Sequence, residues 1–131
     1  MLTYNPVALD FMNHDHADFA ATHDALLTAL AATDSAQVDE LLKHLLTHTR
    51  DHFAAEETAM QQANFPPYPM HKMEHDKVLA VFQQQADNWQ NQRDAASLQK
   101  FLAEDVAQWF VQHVNMMDFV TARYIAQAQA Q

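Results

Sequence analysis

The chain contains no glycine in 131 residues. Glycine is the residue that enters φ > 0 without steric cost, and tight β-hairpin turns depend on that region. An all-β architecture is therefore hard to build from this sequence. Walker loops and glycine-rich dinucleotide fingerprints are excluded outright. Proline punctuates the chain instead: three of the four prolines fall in Asn64-Phe-Pro-Pro-Tyr-Pro69, a segment that cannot lie inside a helix.

Four helical segments follow from periodicity and end signals. The first is expected from about Asn13, a plausible N-cap, to Ala32, with Leu26, Leu27 and Leu30 apolar. The second opens at the capping-box-like Asp34-Ser-Ala-Gln37 and runs to about Ala63. The third starts near Pro69 or Met70, proline being favoured in a first turn, and reaches about Gln92. Asp94 caps a fourth helix from Ala95 to about Ala128, whose apolar side carries Leu98, Leu102, Val106, Phe110, Val114 and Phe119. Long helices with short connections make antiparallel neighbours, so the expected fold is all-α, an up-down-up-down antiparallel four-helix bundle. Residues 1–12 form an N-terminal leader expected to pack on it, and 1–131 is read as a single domain.

Composition narrows the function. A formal net charge of −10 with only seven scattered Lys and Arg argues against nucleic acid and against an anionic membrane surface. The absence of cysteine excludes disulfides, thiolate zinc sites, iron–sulfur clusters and a Cys nucleophile. The N-terminus lacks a basic region followed by an apolar core, and no apolar run is long enough to span a bilayer, so a cytoplasmic protein without membrane insertion is expected.

Histidine is the unusual count, with nine spread along the chain. His52-Phe-Ala-Ala-Glu56 and His71-Lys-Met-Glu-His75 are i,i+4 pairs, each about 6 Å of rise along one helix face. Facing pairs of this kind build metal sites in the core of a bundle. His113-Val-Asn-Met-Met-Asp118 is i,i+5, which in an α-helix turns the two side chains apart. With His16 on the first helix, the set comprises five imidazoles and two carboxylates. That exceeds what one zinc takes and suits two metals, with the carboxylates bridging. Imidazole and carboxylate without thiolate fit iron among other first-row metals. No Glu-x-x-His occurs anywhere, which rejects the ferritin-like di-iron pattern.

These residues, read in order as MNHDHADF (12–19), HTRDHFAAEE (48–57), FPPYPMHKMEHDKVL (65–79) and WFVQHVNMMD (109–118), resemble the hemerythrins, specifically the single-domain bacterial ones. The resemblance covers nearly the whole chain and implies two iron ions (Fe2+/Fe3+) with a bridging oxo or hydroxo group. It implies that His71, His75 and His113 hold one iron and His16 and His52 the other, with Glu56 and Asp118 bridging. The iron with two histidines would keep an open position for O2. The implied activity is reversible O2 binding, for transport, storage or delivery to an oxygen-consuming partner, by a monomer that is not an enzyme. Two alternatives are a di-iron peroxidase or nitric-oxide-handling enzyme, and an oxygen or redox sensor. The enzyme would need a proton donor at the open position, for which His23, His48 and Tyr124 are the candidates.

The other histidines take plainer roles. His14 and His44 are expected in solvent, His23 as a hydrogen-bonded core residue, and His48 as a support for His52 from one turn away. Trp109, Phe53 and Phe19 are placed equally well as pocket wall or as core, and the methionines as gap-fillers or surface. Glu57 points about 100° away from Glu56 and is expected in solvent, without a part at the metals.

Overall fold

The computed structural model describes residues 2–131. Helix α1 spans Asp10–Ala31, α2 spans Ser35–Gln62 and α3 spans Tyr68–Gln92. Helix α4 runs over 95–129 as one rod, but it is not uniform. Its α-helical stretches Ala95–Lys100, Ala107–Gln112 and Phe119–Gln129 alternate with π-helical ones at Phe101–Val106 and His113–Asp118. There is no strand among the described residues. The connections are short enough to reverse direction at each step, so α1 packs on α2, α2 on α3, and α4 closes the four-helix bundle. No helix among the described residues is long and apolar enough to cross a membrane.

The helix ends show how a chain without glycine turns. Thr33, Asn64 and Arg93 occupy the left-handed region at φ 53°, 52° and 53°, one after each of the first three helices. Behind Thr33 the Asp34 amide reaches back to the Ala29 carbonyl at 3.0 Å, which satisfies a carbonyl that α1 leaves open. Asp34 and Asp94 cap as expected, accepting from the amides of Gln37 and Ser97 at 3.2 and 3.1 Å.

Asn13 does not cap α1, because the helix already begins at Asp10 with Leu9 in the capping position. Its side chain instead accepts from the Val7 amide and donates to the Val7 carbonyl, both at 2.8 Å. This pair of hydrogen bonds holds the leader, and Asn5 adds a third tie by donating its backbone N–H to Asn115 Oδ1 at 2.8 Å. Val7 and Leu9 are buried, and the Tyr4 ring meets Phe110 edge-on at 5.1 Å. The leader is thus packed across the end of the bundle that carries the histidines.

The core runs through Met12, Leu26, Met60, Leu102, Val106, Val114 and Ile125. Phe119, expected on the apolar side of α4, is exposed and lies beneath the Arg123 guanidinium. The reason is register: each π turn inserts a residue relative to an α-helix, so the inward face passes to Thr121, Ala122 and Ile125. His23 is the hydrogen-bonded core residue its position predicts, its Nε2 lying 2.7 Å from the Leu102 carbonyl within the first π stretch.

Candidate metal centre

Toward the end of the bundle where α1 and α3 begin and α2 finishes, one face from every helix converges. His16 comes from α1, His52 and Glu56 from α2, His71 and His75 from α3, and His113 and Asp118 from α4. All seven are buried, and Glu56 and His75 are wholly inaccessible. The i,i+4 spacing aligns the pairs on α2 and α3. On α4 the i,i+5 pair is aligned by the π turn that spans His113–Asp118. The spacing that looks wrong for an α-helix is the right one for the helix that forms.

The carboxylates divide the histidines into two groups. Glu56 Oε1 and Asp118 Oδ1 face three of them: His75 Nε2 lies 3.0 Å from the former, and His71 and His113 Nε2 lie 3.3 and 3.2 Å from the latter. Glu56 Oε2 and Asp118 Oδ2 face the other two, with His52 Nε2 at 2.8 Å and His16 Nε2 at 2.9 Å. Potential ligand atoms within each group lie within 4.8 Å of one another, and Glu56 and Asp118 belong to both.

Most of these short separations are not hydrogen bonds. Nε2 of His52, His71, His75 and His113, both Glu56 oxygens and Asp118 Oδ1 have no hydrogen-bond partner, because they aim at shared points rather than at one another. Only His16 with Asp118 Oδ2 meets hydrogen-bond geometry. Separations near 3 Å are what adjacent ligands have around a metal at about 2.1 Å from each. Among the described residues no Lys or Arg pairs with either buried carboxylate, so their charge is met only by the imidazoles around them, and buried charge left without a partner costs several kcal/mol. Two divalent cations satisfy both requirements at once, so the residues present fit the pair of metals.

The same proximity governs the protons of the metal-free ligand set. Burial disfavours the charged form of His52, but the Glu56 carboxylate beside it prevails and raises its pKa to about 9. His113 is raised too, burial again opposing and Asp118 prevailing. For Asp118, burial pushes upward but His113, with His16 and His71, holds the carboxyl well below its usual range. Glu56 is lowered: burial and Asp118 act against ionisation, and His52 and His75 outweigh them.

Three of the histidines are oriented from behind. His52 Nδ1 lies 2.7 Å from Asp15 Oδ2, His75 Nδ1 2.9 Å from Glu57 Oε2, and His71 Nδ1 2.9 Å from Thr121 Oγ1. A carboxylate only accepts, so His52 and His75 carry hydrogen on Nδ1 and turn Nε2 inward as the nitrogen left to ligate. Glu57 is therefore not the solvated residue its position suggested. Its direction around α2 faces α3, where His75 meets it. Asp15, Glu57 and Thr121 escape a reading that seeks ligands only, since all three are polar residues next to or near ligands with no spacing of their own.

Phe53 stacks on His75 at 3.8 Å and Trp109 on His113 at 4.9 Å. A cavity of about 20 Å³ lies against His16 and His52, walled by Phe19, Phe53, Trp109 and Phe110. That is room for about one water-sized molecule. Trp109, Phe53 and Phe19 are thus pocket walls as well as core. Of the three proton-donor candidates, His23 is engaged with Leu102, and Tyr124 is directed at the Asn64 carbonyl, 3.4 Å away. Only His48 borders the cavity.

Comparison with known proteins agrees with this geometry. The family model for the hemerythrin HHE cation binding domain matches residues 7–125. A bacteriohemerythrin of Aquifex aeolicus is 32% identical over 115 residues, 88% of each chain. One from Ralstonia nicotianae is 35% identical over 117 residues, 86% of this chain and 78% of the relative. A hemerythrin from Sipunculus nudus is 32% identical over 97 residues, 74% of each. No solved structure gives a significant match. With the family model spanning nearly all of the bundle that carries the histidine and carboxylate cluster, the chain belongs to the hemerythrin family.

Proposed function

We propose that this protein binds O2 reversibly at a non-haem di-iron centre and serves oxygen transport, storage or delivery to an oxygen-consuming enzyme, as a cytoplasmic monomer. His71, His75 and His113 would hold one iron and His16 and His52 the other, with Glu56 and Asp118 shared between them and an oxo or hydroxo group completing the centre. The observation that carries this reading is the asymmetry of the cluster: three imidazoles on one side, two on the other, and a small cavity lined by both of the two and by only His113 of the three. Iron held there would supply the redox chemistry, passing electrons to O2 as it binds and taking them back as it leaves.

The chain's own residues provide the rest. Asp15, Glu57 and Thr121 fix the imidazoles before any metal arrives, which lowers the cost of assembling the centre. Glu56 and Asp118 offset the positive charge of two dications in a low-dielectric interior. Phe19, Phe53, Trp109 and Phe110 make much of the cavity wall apolar, which limits the water and proton donors beside it and favours release of O2 over its further reduction.

The test is to reduce the protein under nitrogen, admit oxygen and then remove it. An absorption band that appears and reverses, with two irons per chain, is expected. One metal per chain, or irreversible oxidation at first contact, overturns the proposal.

A further inference from the structure

Beside His52, side chains of α1 and α2 form a strip of nitrogen and oxygen donors that ends in solvent. His44, His48 and His52 follow one another at four-residue steps along α2, with successive ring centroids 5.8 and 6.4 Å apart. Asp18 and Asp15 of α1 interleave with them. Asp18 Oδ2 lies 3.0 Å from His44 Nε2 and 3.2 Å from His48 Nε2. Asp15 Oδ1 lies 3.5 Å from His48 Nε2, and its Oδ2 is the atom 2.7 Å from His52 Nδ1. Side-chain exposure falls along the strip, from 51% at His44 and 39% at Asp18 to 20% at His48, 23% at Asp15 and 8% at His52.

Exposed ion pairs of this kind add little to stability, so their alignment is not accounted for by folding alone. The strip also ends where it matters: Asp15 and His48 border the cavity that adjoins His16 and His52. On the far side of the cluster, a groove lined by Phe65, Met70, Met116, Phe119 and Val120 reaches His71. Its walls are apolar and offer a hydrated cation almost nothing in exchange for its water, a loss that a low-dielectric wall makes prohibitive.

We propose that the His44–Asp18–His48–Asp15 strip is the route by which divalent iron enters and leaves the buried centre; this rests on the di-iron reading above. Each imidazole or carboxylate replaces a water of the hydrated ion before the next is lost, and this donor set suits Fe2+. The net charge of −10 raises the local concentration of cations at its outer end.

Iron release from the reduced holoprotein to a chelator too bulky to enter tests the route, since entry and exit share one path. His44→Ala, at the exposed end of the strip, is expected to slow release about tenfold, while iron content and melting temperature stay at wild-type values. Asp18→Asn, which keeps the side-chain shape, is expected to slow it in the same direction. Met116→Leu, in the apolar groove, is expected to leave the rate unchanged. Unchanged or faster release from the strip variants, with two irons per chain retained, overturns the route alone. So does slowing by Met116→Leu equal to that of the strip variants. Wild-type protein that never holds two irons overturns the di-iron reading instead.

Discussion

Glu57 Oε2 accepts a hydrogen bond from His75 Nδ1 across 2.9 Å, although Glu57 is the immediate neighbour of Glu56 and points elsewhere around α2. Two adjacent glutamates thus serve one centre from two directions, Glu56 from within and Glu57 from behind a histidine on the next helix. Removing the acceptor frees the imidazole to rotate and weakens it as a ligand. Glu57→Ala is expected to lower iron affinity about 10- to 100-fold, and Glu57→Gln, which keeps an acceptor oxygen, less. Iron retained after equilibration against a graded chelator series measures both.

Glu56 gives one oxygen to each histidine group, so its loss should be felt on both sides of the cluster. Glu56→Ala is expected to abolish retention of at least one iron, read by metal analysis. Glu56→Gln removes a buried charge while keeping its volume. The metal-free Gln variant is expected to melt below the metal-free wild type at pH 6, because the ionised Glu56 is the partner that holds the His52 proton in the fold. Retention of both irons by Glu56→Ala would contradict the bridging assignment.

Stability of the metal-free protein should fall as the solution becomes alkaline. The folded-state pKa of His52 is raised to about 9 from an ordinary 6.5, so the folded form holds this proton more tightly than the unfolded chain. That contribution is fully present below the unfolded value and is lost as pH rises through the folded one. Metal-free protein is expected to melt at a lower temperature at pH 9 than at pH 6. Iron binding runs the opposite way, because a ligand imidazole must give up its proton, so iron affinity rises across the same interval. Thermal melts with and without metal at the two pH values check both signs.

Thr33 carries a β-branched side chain at φ 53°, a region that costs such residues about 1–2 kcal/mol. Glycine removes that strain and adds conformational freedom to the unfolded chain, which returns part of the gain. Thr33→Gly is expected to stabilise the protein by about 0.5–1 kcal/mol, read as a higher denaturation midpoint with an unchanged slope. The same substitution at Arg93 is expected to destabilise, because Arg93 donates to Asp39 at 2.7 Å and lies over the Trp89 ring.

Much of this protein is settled by local chemistry. The proline cluster, the Asp34 and Asp94 caps and the helical periodicity define four helices, because each signal acts within a turn or two of chain. Four residues of the cluster, His52, Glu56, His71 and His75, were legible for a related reason: i,i+4 pairs of ligating side chains announce a shared face before anything is known of the neighbouring helix. The roles of His16, His113 and Asp118 rested instead on the resemblance to the hemerythrins. What local periodicity could not supply is the phase of α4. Only packing against three other helices favours the π turns that bring Asp118 round to His113 and turn Phe119 outward. Tertiary structure also decided the supporting residues. Glu57, Asp15 and Thr121 act on histidines of other helices, 18, 37 and 50 residues away in sequence, where no spacing rule reaches. Asn13 follows the same logic, its side chain being claimed by the leader before a helix end could use it. A side chain's spacing fixes which face it shares, whereas its partner depends on which element comes to lie against that face.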